Sequence, residues 1–152
     1  MKQETFIANN KNIKALVASE ITRLGNHADL NHIDVSNITD FAYLFYTLKF
    51  NGDVSKWNTI KAKRMNSMFE FSQFNGDISK WNVSNVEDMH QIFKNSPFNQ
   101  DISDWQFNQR LVFDHNMQRV IENSHNIRAE KELKLLKENI ISTDRQTKYT
   151  TL

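Results

Sequence analysis

Phe74-Asn75-Gly76-Asp77-Ile78-Ser79-Lys80-Trp81-Asn82 restates an earlier run, Phe50-Asn51-Gly52-Asp53-Val54-Ser55-Lys56-Trp57-Asn58. Phe98-Asn99-Gln100-Asp101-Ile102-Ser103-Asp104-Trp105-Gln106 carries it a third time in worn form. Phe50, Phe74 and Phe98 recur every 24 residues, and so do Trp57, Trp81 and Trp105. A unit of that length cannot bury its apolar face alone, so copies must stack on one another. A disguised copy, His27-Ala28-Asp29-Leu30-Asn31-His32-Ile33-Asp34-Val35, lies one period upstream of Asn51. The repeats therefore fall at about 26–49, 50–73, 74–97 and 98–121, the last one degraded.

Within a repeat, the segment around Asp77-Ile78-Ser79-Lys80-Trp81-Asn82-Val83 alternates polar and apolar and predicts a short strand. Val86, Met89, Ile92 and Phe93 then fall at helical spacing, which predicts a short helix with Asn85 as its N-cap. The expectation is an α/β fold: a strand–helix solenoid of about four 24-residue repeats with helical caps at both ends. Its core would be columns of equivalent residues: Leu30, Val54, Ile78, Ile102; Ile33, Trp57, Trp81, Trp105; Phe41, Met65, Met89, Phe113; and Phe45, Phe69, Phe93, Met117.

Outside the repeats, Ile13, Leu16, Val17, Ile21 and Leu24 mark an amphipathic helix over 11–24 that Gly25 ends. Residues 1–25 read as an N-terminal capping helix, 26–121 as the repeat solenoid, and 122–152 as a C-terminal helix and mobile tail, all one structural domain. The periodicity predicts one helical stretch over 109–123, a break at Asn123-Ser124-His125-Asn126, and a second helix over 127–140 carrying Leu133, Leu136 and Ile140. Residues 142–152 read as the mobile tail.

Composition narrows the class. The 152 residues carry a net charge of +1, which argues against a dominant attraction to nucleic acid or anionic membrane. There is no cysteine for a disulfide or thiolate metal site. With only 3 Gly and 1 Pro, Asn and Asp must supply the tight corners. The first residues lack the apolar run of a signal peptide, and no segment is long enough to cross a bilayer, so a cytoplasmic location without membrane contact is expected.

The run Phe74 to Met89 closely resembles the repeat of BspA-type leucine-rich-repeat proteins, which also occurs in mycoplasma surface lipoproteins. Ile13-Lys14-Ala15-Leu16-Val17 and the stretch from Ala28 to Asp40 resemble the short prokaryotic, prophage-encoded members. The likeness covers about residues 11–107. It implies a right-handed solenoid that binds other proteins or host surfaces, and it carries over no catalytic residues. Surface members have secretion or lipid-anchor signals, and this chain shows neither.

Asp29, Asp53, Asp77 and Asp101 form one column, about 4.8 Å apart if outward-facing. They suit either calcium bridging or, the reading the residues favour, acceptance of backbone N–H groups at each corner. The Trp column could stack bases, but it takes the place of Ile33 and so reads as core. Lys61-Ala62-Lys63-Arg64 replaces the acidic residues of other repeats and, with Lys56 and Lys80 (and Lys49 nearby), forms a basic patch. Tyr43, Tyr46 and Phe71 lie off the columns as candidate exposed anchors. The histidines are scattered, and no nucleophile elbow, P-loop or dinucleotide fingerprint occurs. No catalysis, metal or cofactor is expected.

The expected role is a non-catalytic protein–protein interaction module. Its specific form is a phage or mobile-element protein that inhibits a host defence protein, as anti-CRISPR proteins do. The partner-binding residues would be Lys56, Lys61, Lys63, Arg64, Lys80, Tyr43, Tyr46 and Phe71. The alternatives are a surface adhesin of the BspA type and an RNA- or nucleoprotein-binding module using the basic patch. The C-terminal helix would either close the last repeat or mediate self-association.

Overall fold

The structure, a computed structural model, describes residues 4–149, with side chains described as far as 138. In chain order the elements are β1 (Phe6–Ile7), α1 (Ile13–Leu24), β2 (Ile33–Asp34) and α2 (His115–Tyr149). β1 and β2 pair in parallel, Phe6 opposite Ile33 and Ile7 opposite Asp34.

The α/β strand–helix solenoid is not what forms. The two-stranded β1–β2 pair is the one sheet among the described residues. Apart from β2 in the first repeat and the start of α2 in the last, the repeats hold turns and isolated bridges where short strands and helices were expected. The reason lies in where the backbone N–H groups go. In the segment after Asp40, the N–H groups of Phe41, Tyr43, Phe45 and Thr47 donate to the carbonyls of Arg64, Asn66, Met68 and Glu70 in the next repeat. Those of Leu44, Tyr46 and Leu48 donate three residues back, to Phe41, Tyr43 and Phe45. A helix needs its N–H groups for bonds four residues back and has none to lend to a neighbour. The chain forms successive tight turns instead, and these require left-handed residues: Tyr43 and Thr47, then Ser67 and Phe71, then Gln91 and Asn95, all with φ between 53 and 60°. Asn85, expected to cap a helix, donates its amide to the Ile60 carbonyl of the preceding repeat at 2.7 Å.

Equivalent positions nonetheless lie on one another, tier on tier. Bridges join Asp29 to Asp53, and Asp40 to Arg64, Arg64 to Asp88 and Asp88 to Val112, all in parallel. Inside, Phe50, Phe74 and Phe98 stack with ring centroids 6.2 Å apart at each step. Phe45, Phe69 and Phe93 form a second column at 5.2 and 5.8 Å, and the two columns face each other. Trp57 and Trp81 stack at 6.1 Å, and Trp105 is buried as they are. Each indole N–H reaches a carbonyl of the tier before it: Trp57 to Leu30, Trp81 to Val54, Trp105 to Ile78, at 2.9–3.0 Å. A buried tryptophan keeps its polar edge satisfied this way while its rings fill the core. Phe113 departs from its expected column and stands exposed, whereas Met117 on α2 is buried in the core.

A helix lies against each end. Ile13 and Val17 of α1 join the core, and Gly25 ends that helix with φ 91°. α2 is one continuous helix with no break at Asn123–Asn126 and begins at the cap made by Asp114, whose carboxylate accepts the Met117 N–H. Its backbone continues through most of the expected tail to Tyr149. Residues 150–152 lie outside the described residues, as do the side chains beyond 138, Ile140 included.

Close tier spacing makes Gly52 obligatory. A Cβ there would meet the Ala28 carbonyl oxygen at 2.1 Å, whereas at Gly76 the nearest backbone atom is the Gly52 oxygen at 3.1 Å. Backbone cannot move aside as a side-chain tip can. Gly52→Ala should therefore cost roughly 1–3 kcal/mol and Gly76→Ala less, read as denaturant midpoints at unchanged m-value. Equal tolerance at both sites would contradict the tier contact.

Candidate functional site

The aromatic residues singled out from the sequence come together. Tyr43 and Tyr46 meet edge-on with centroids 5.6 Å apart, and Tyr46 meets Phe71 of the next tier at 6.1 Å. They remain 48, 39 and 48% exposed. The Lys14 ammonium of α1 lies 5.8 Å from the centre of the Tyr43 ring, within reach of a cation–π contact. Two of these residues, Tyr43 and Phe71, hold left-handed backbone, with φ 59 and 56°. This conformation disfavours a bulky L-residue.

Four of the five basic residues meet a partner one period away. Arg64 stands between two aspartates in its column and pairs with Asp40 at 3.6 Å, and Lys63 pairs with Glu87 at 3.7 Å. Lys61 donates to Asn37 at 2.8 Å. Lys80 sits at a different corner and pairs with Asp104 at 3.9 Å. Lys56 is exposed near Asp53. The basic insertion thus answers acids in the tiers on either side of it, a signal available in the sequence as Asp40, Arg64 and Asp88 spaced one period apart.

The aspartate column caps corners. Asp29, Asp53, Asp77 and Asp101 each accept the N–H two residues on, from Asn31, Ser55, Ser79 and Ser103, at 2.8–3.0 Å. The bonds from Ser55 hold the Asp53 carboxyl below its usual range. These bonds need no ion, so thermal unfolding should be the same with calcium and with excess chelator; a chelator-dependent shift would restore the metal reading.

Two carboxylates tie the end elements down. Glu20 of α1 is buried and bonds His32 at 2.6 Å and Arg23 at 2.6 and 3.0 Å. The Arg23 bonds lower its pKa against the opposition of burial, with help from His32. At the far end, Asp101 accepts from the Ser124 hydroxyl at 3.2 Å and faces Lys131 of α2 at 3.5 Å. Burial works against its charge but is outweighed by the bonds from Ser103 and Ser124 and by Lys131, so its pKa falls from 3.8 to about 2. Arg128 adds a 2.8 Å pair to Asp104. No local pattern in the sequence marks the contacts of Glu20 with His32 or of Ser124 with Ile102 and Asp101, because the partners lie 12 to 23 residues apart.

Because the folded pKa of Asp101 lies below its unfolded value, its stabilisation is complete above about pH 4. It is lost as pH falls through about 2, and amounts to roughly 2 kcal/mol. Acid should therefore release α2 before the inner tiers, seen as loss of amide protection in residues 117–128 first. Asp101→Asn should weaken the helix at neutral pH and flatten that acid response.

Beyond Lys131, α2 leaves the stack with Leu133, Leu135 and Leu136 exposed. Among the described residues, no helix is long and apolar enough to cross a membrane. The structure is thus a set of stacked tiers whose outer skin carries an aromatic cluster. The chain belongs to the family described as "Mycoplasma protein of unknown function, DUF285", whose pattern matches residues 9–132 and so extends past the tiers into α2. No curated protein and no solved structure matches it.

Proposed function

We propose that this chain is a non-catalytic protein-binding module whose contact face is Tyr43, Tyr46 and Phe71 beside Lys14. The observation that supports it is strain in the open. Tyr43 and Phe71 are bulky, exposed and left-handed, where folding alone would favour glycine or asparagine. The conformation costs about 1–2 kcal/mol per residue, and about half of each of these side chains stays in water. Clustered aromatic residues with few rotatable bonds are the anchors that dominate protein interfaces.

The narrower form of the reading is a phage or mobile-element protein acting in the cytoplasm on a host defence protein, in the manner of anti-CRISPR proteins. The likeness of the N-terminal stretch to prophage-encoded members and of residues 74–89 to BspA-type repeats supports it. A BspA-type surface adhesin and an RNA- or nucleoprotein-binding module are the rivals. The pairing of Lys63 and Arg64 with Glu87 and Asp40 lowers the field available to a phosphate backbone.

Affinity capture from the native host separates these readings. The wild-type chain should recover a stoichiometric protein, and Tyr43→Ala, Tyr46→Ala and Phe71→Ala combined should weaken capture at least about tenfold without lowering the melting temperature. Lys61→Glu, Lys63→Glu and Arg64→Glu combined should leave capture intact. The opposite pattern, with nuclease-sensitive recovery, would replace this reading with the nucleic-acid one.

A further inference from the structure

The tiers are joined by one repeated hydrogen-bond exchange. The carbonyl of Thr39 accepts from Lys63 and Arg64, that of Lys63 from Glu87 and Asp88, and that of Glu87 from Val112. In the other direction Phe41 donates to Arg64, Met65 to Asp88 and Met89 to Val112, at 2.8–2.9 Å. At the N-terminal end the missing tier is imitated by a side chain. Asn10 Oδ1 accepts from both Thr39 and Asp40, at 3.0 and 3.3 Å, as a preceding carbonyl would. At the C-terminal end one half of the last tier is imitated likewise, the Ile102 N–H donating to Ser124 Oγ at 2.7 Å.

The other half of that end has no imitation. One period past Met89 and Glu87 stand Phe113 and Leu111. Among the described residues nothing accepts from the Phe113 N–H or donates to the Leu111 carbonyl. Beside them Val112 and Phe113 are 59 and 45% exposed. A groove of about 320 Å³ opens there, lined by Trp105, Phe107, Leu111, Phe113 and Ile121. Arg110 continues the column of Ile38, Ala62 and Val86 but is exposed, and its guanidinium meets no carboxylate among the described residues.

We propose that this open rung is a second binding site, which takes an extended peptide segment as one more parallel tier. The existing exchange specifies the occupant. One of its carbonyls accepts from Phe113, its preceding N–H donates to Leu111, an apolar side chain enters the groove, and a carboxylate lies near Arg110. Opposite charges already meet between tiers in this way at Arg64–Asp40 and Lys63–Glu87. Backbone addition to an unpaired edge supplies affinity, and the pocket beside it supplies selectivity. A second copy cannot serve end-on, because Asn10 already occupies the matching groups of its first tier. The site is distinct from the Tyr43 face and does not depend on it.

The chain itself provides a probe: a fluorescent synthetic peptide of residues 84–95, whose Glu87 N–H and Asp88 carbonyl make these bonds within the stack. Fluorescence anisotropy with the full chain should show saturable binding, and protection of the Phe113 amide from exchange should rise with occupancy. Methylating the Glu87 nitrogen of the peptide should weaken binding at least about tenfold, the loss of one backbone bond in a partly dry site. Phe113→Pro in the protein should do the same, and Arg110→Glu should weaken binding several-fold. The N-methyl comparison leaves the protein untouched, so it stands even if a variant folds poorly. Equal affinity for the plain and N-methylated peptides, or no binding up to about 1 mM, would overturn the proposal.

Discussion

The backbone exchange between positions 24 residues apart is the constraint on which the rest of this molecule depends. A turn-rich chain with almost no strand or helix in its middle must satisfy its buried N–H and C=O groups somewhere, because each one left unpaired costs about 1–3 kcal/mol. Here they are satisfied by the neighbouring tier. The register that aligns Phe41 with Arg64 also aligns the phenylalanine columns and brings each indole N–H to a carbonyl. Side-chain stacking and backbone pairing therefore enforce the same offset, and a one-residue slip would break both.

A stack of this kind has two ends, and each end must replace a tier that does not exist. β1, Asn10 and the Glu20–His32 contact do so at the start. Ser124 with the Arg128 and Lys131 ion pairs does so at the finish. Polar side chains drawn from outside the repeats take the positions of main-chain groups. The finish is only half closed, and α2 continues past it with its leucines in the open.

The outer skin divides along physical lines. Charges spaced one period apart neutralise one another, as Asp40, Arg64 and Glu87 with Lys63 do. The aspartates close turns. The turns require left-handed backbone at Tyr43 and Phe71, but they do not require aromatic, solvent-facing side chains there, and it is on these that the proposed contact face rests.

By itself the sequence determined the period, the inward columns of Phe50, Phe74 and Phe98 and of the three tryptophans, the corner role of the aspartates and the helix at Ile13–Leu24. All of these depend on residue type at a fixed spacing. It did not determine the local conformation after each corner. Val86, Met89 and Ile92, three apart, suit a helix and a run of three-residue turns equally well. Tertiary structure chose the turns, because the next tier offers carbonyls to N–H groups that a helix would have kept. The capping of Thr39 by Asn10 and of Ile102 by Ser124, and the meeting of Lys14 with Tyr43, likewise join residues from 22 to 29 positions apart. Periodicity shows which side chains point inward; the destination of a hydrogen bond depends on a partner that is present only once the tiers have assembled.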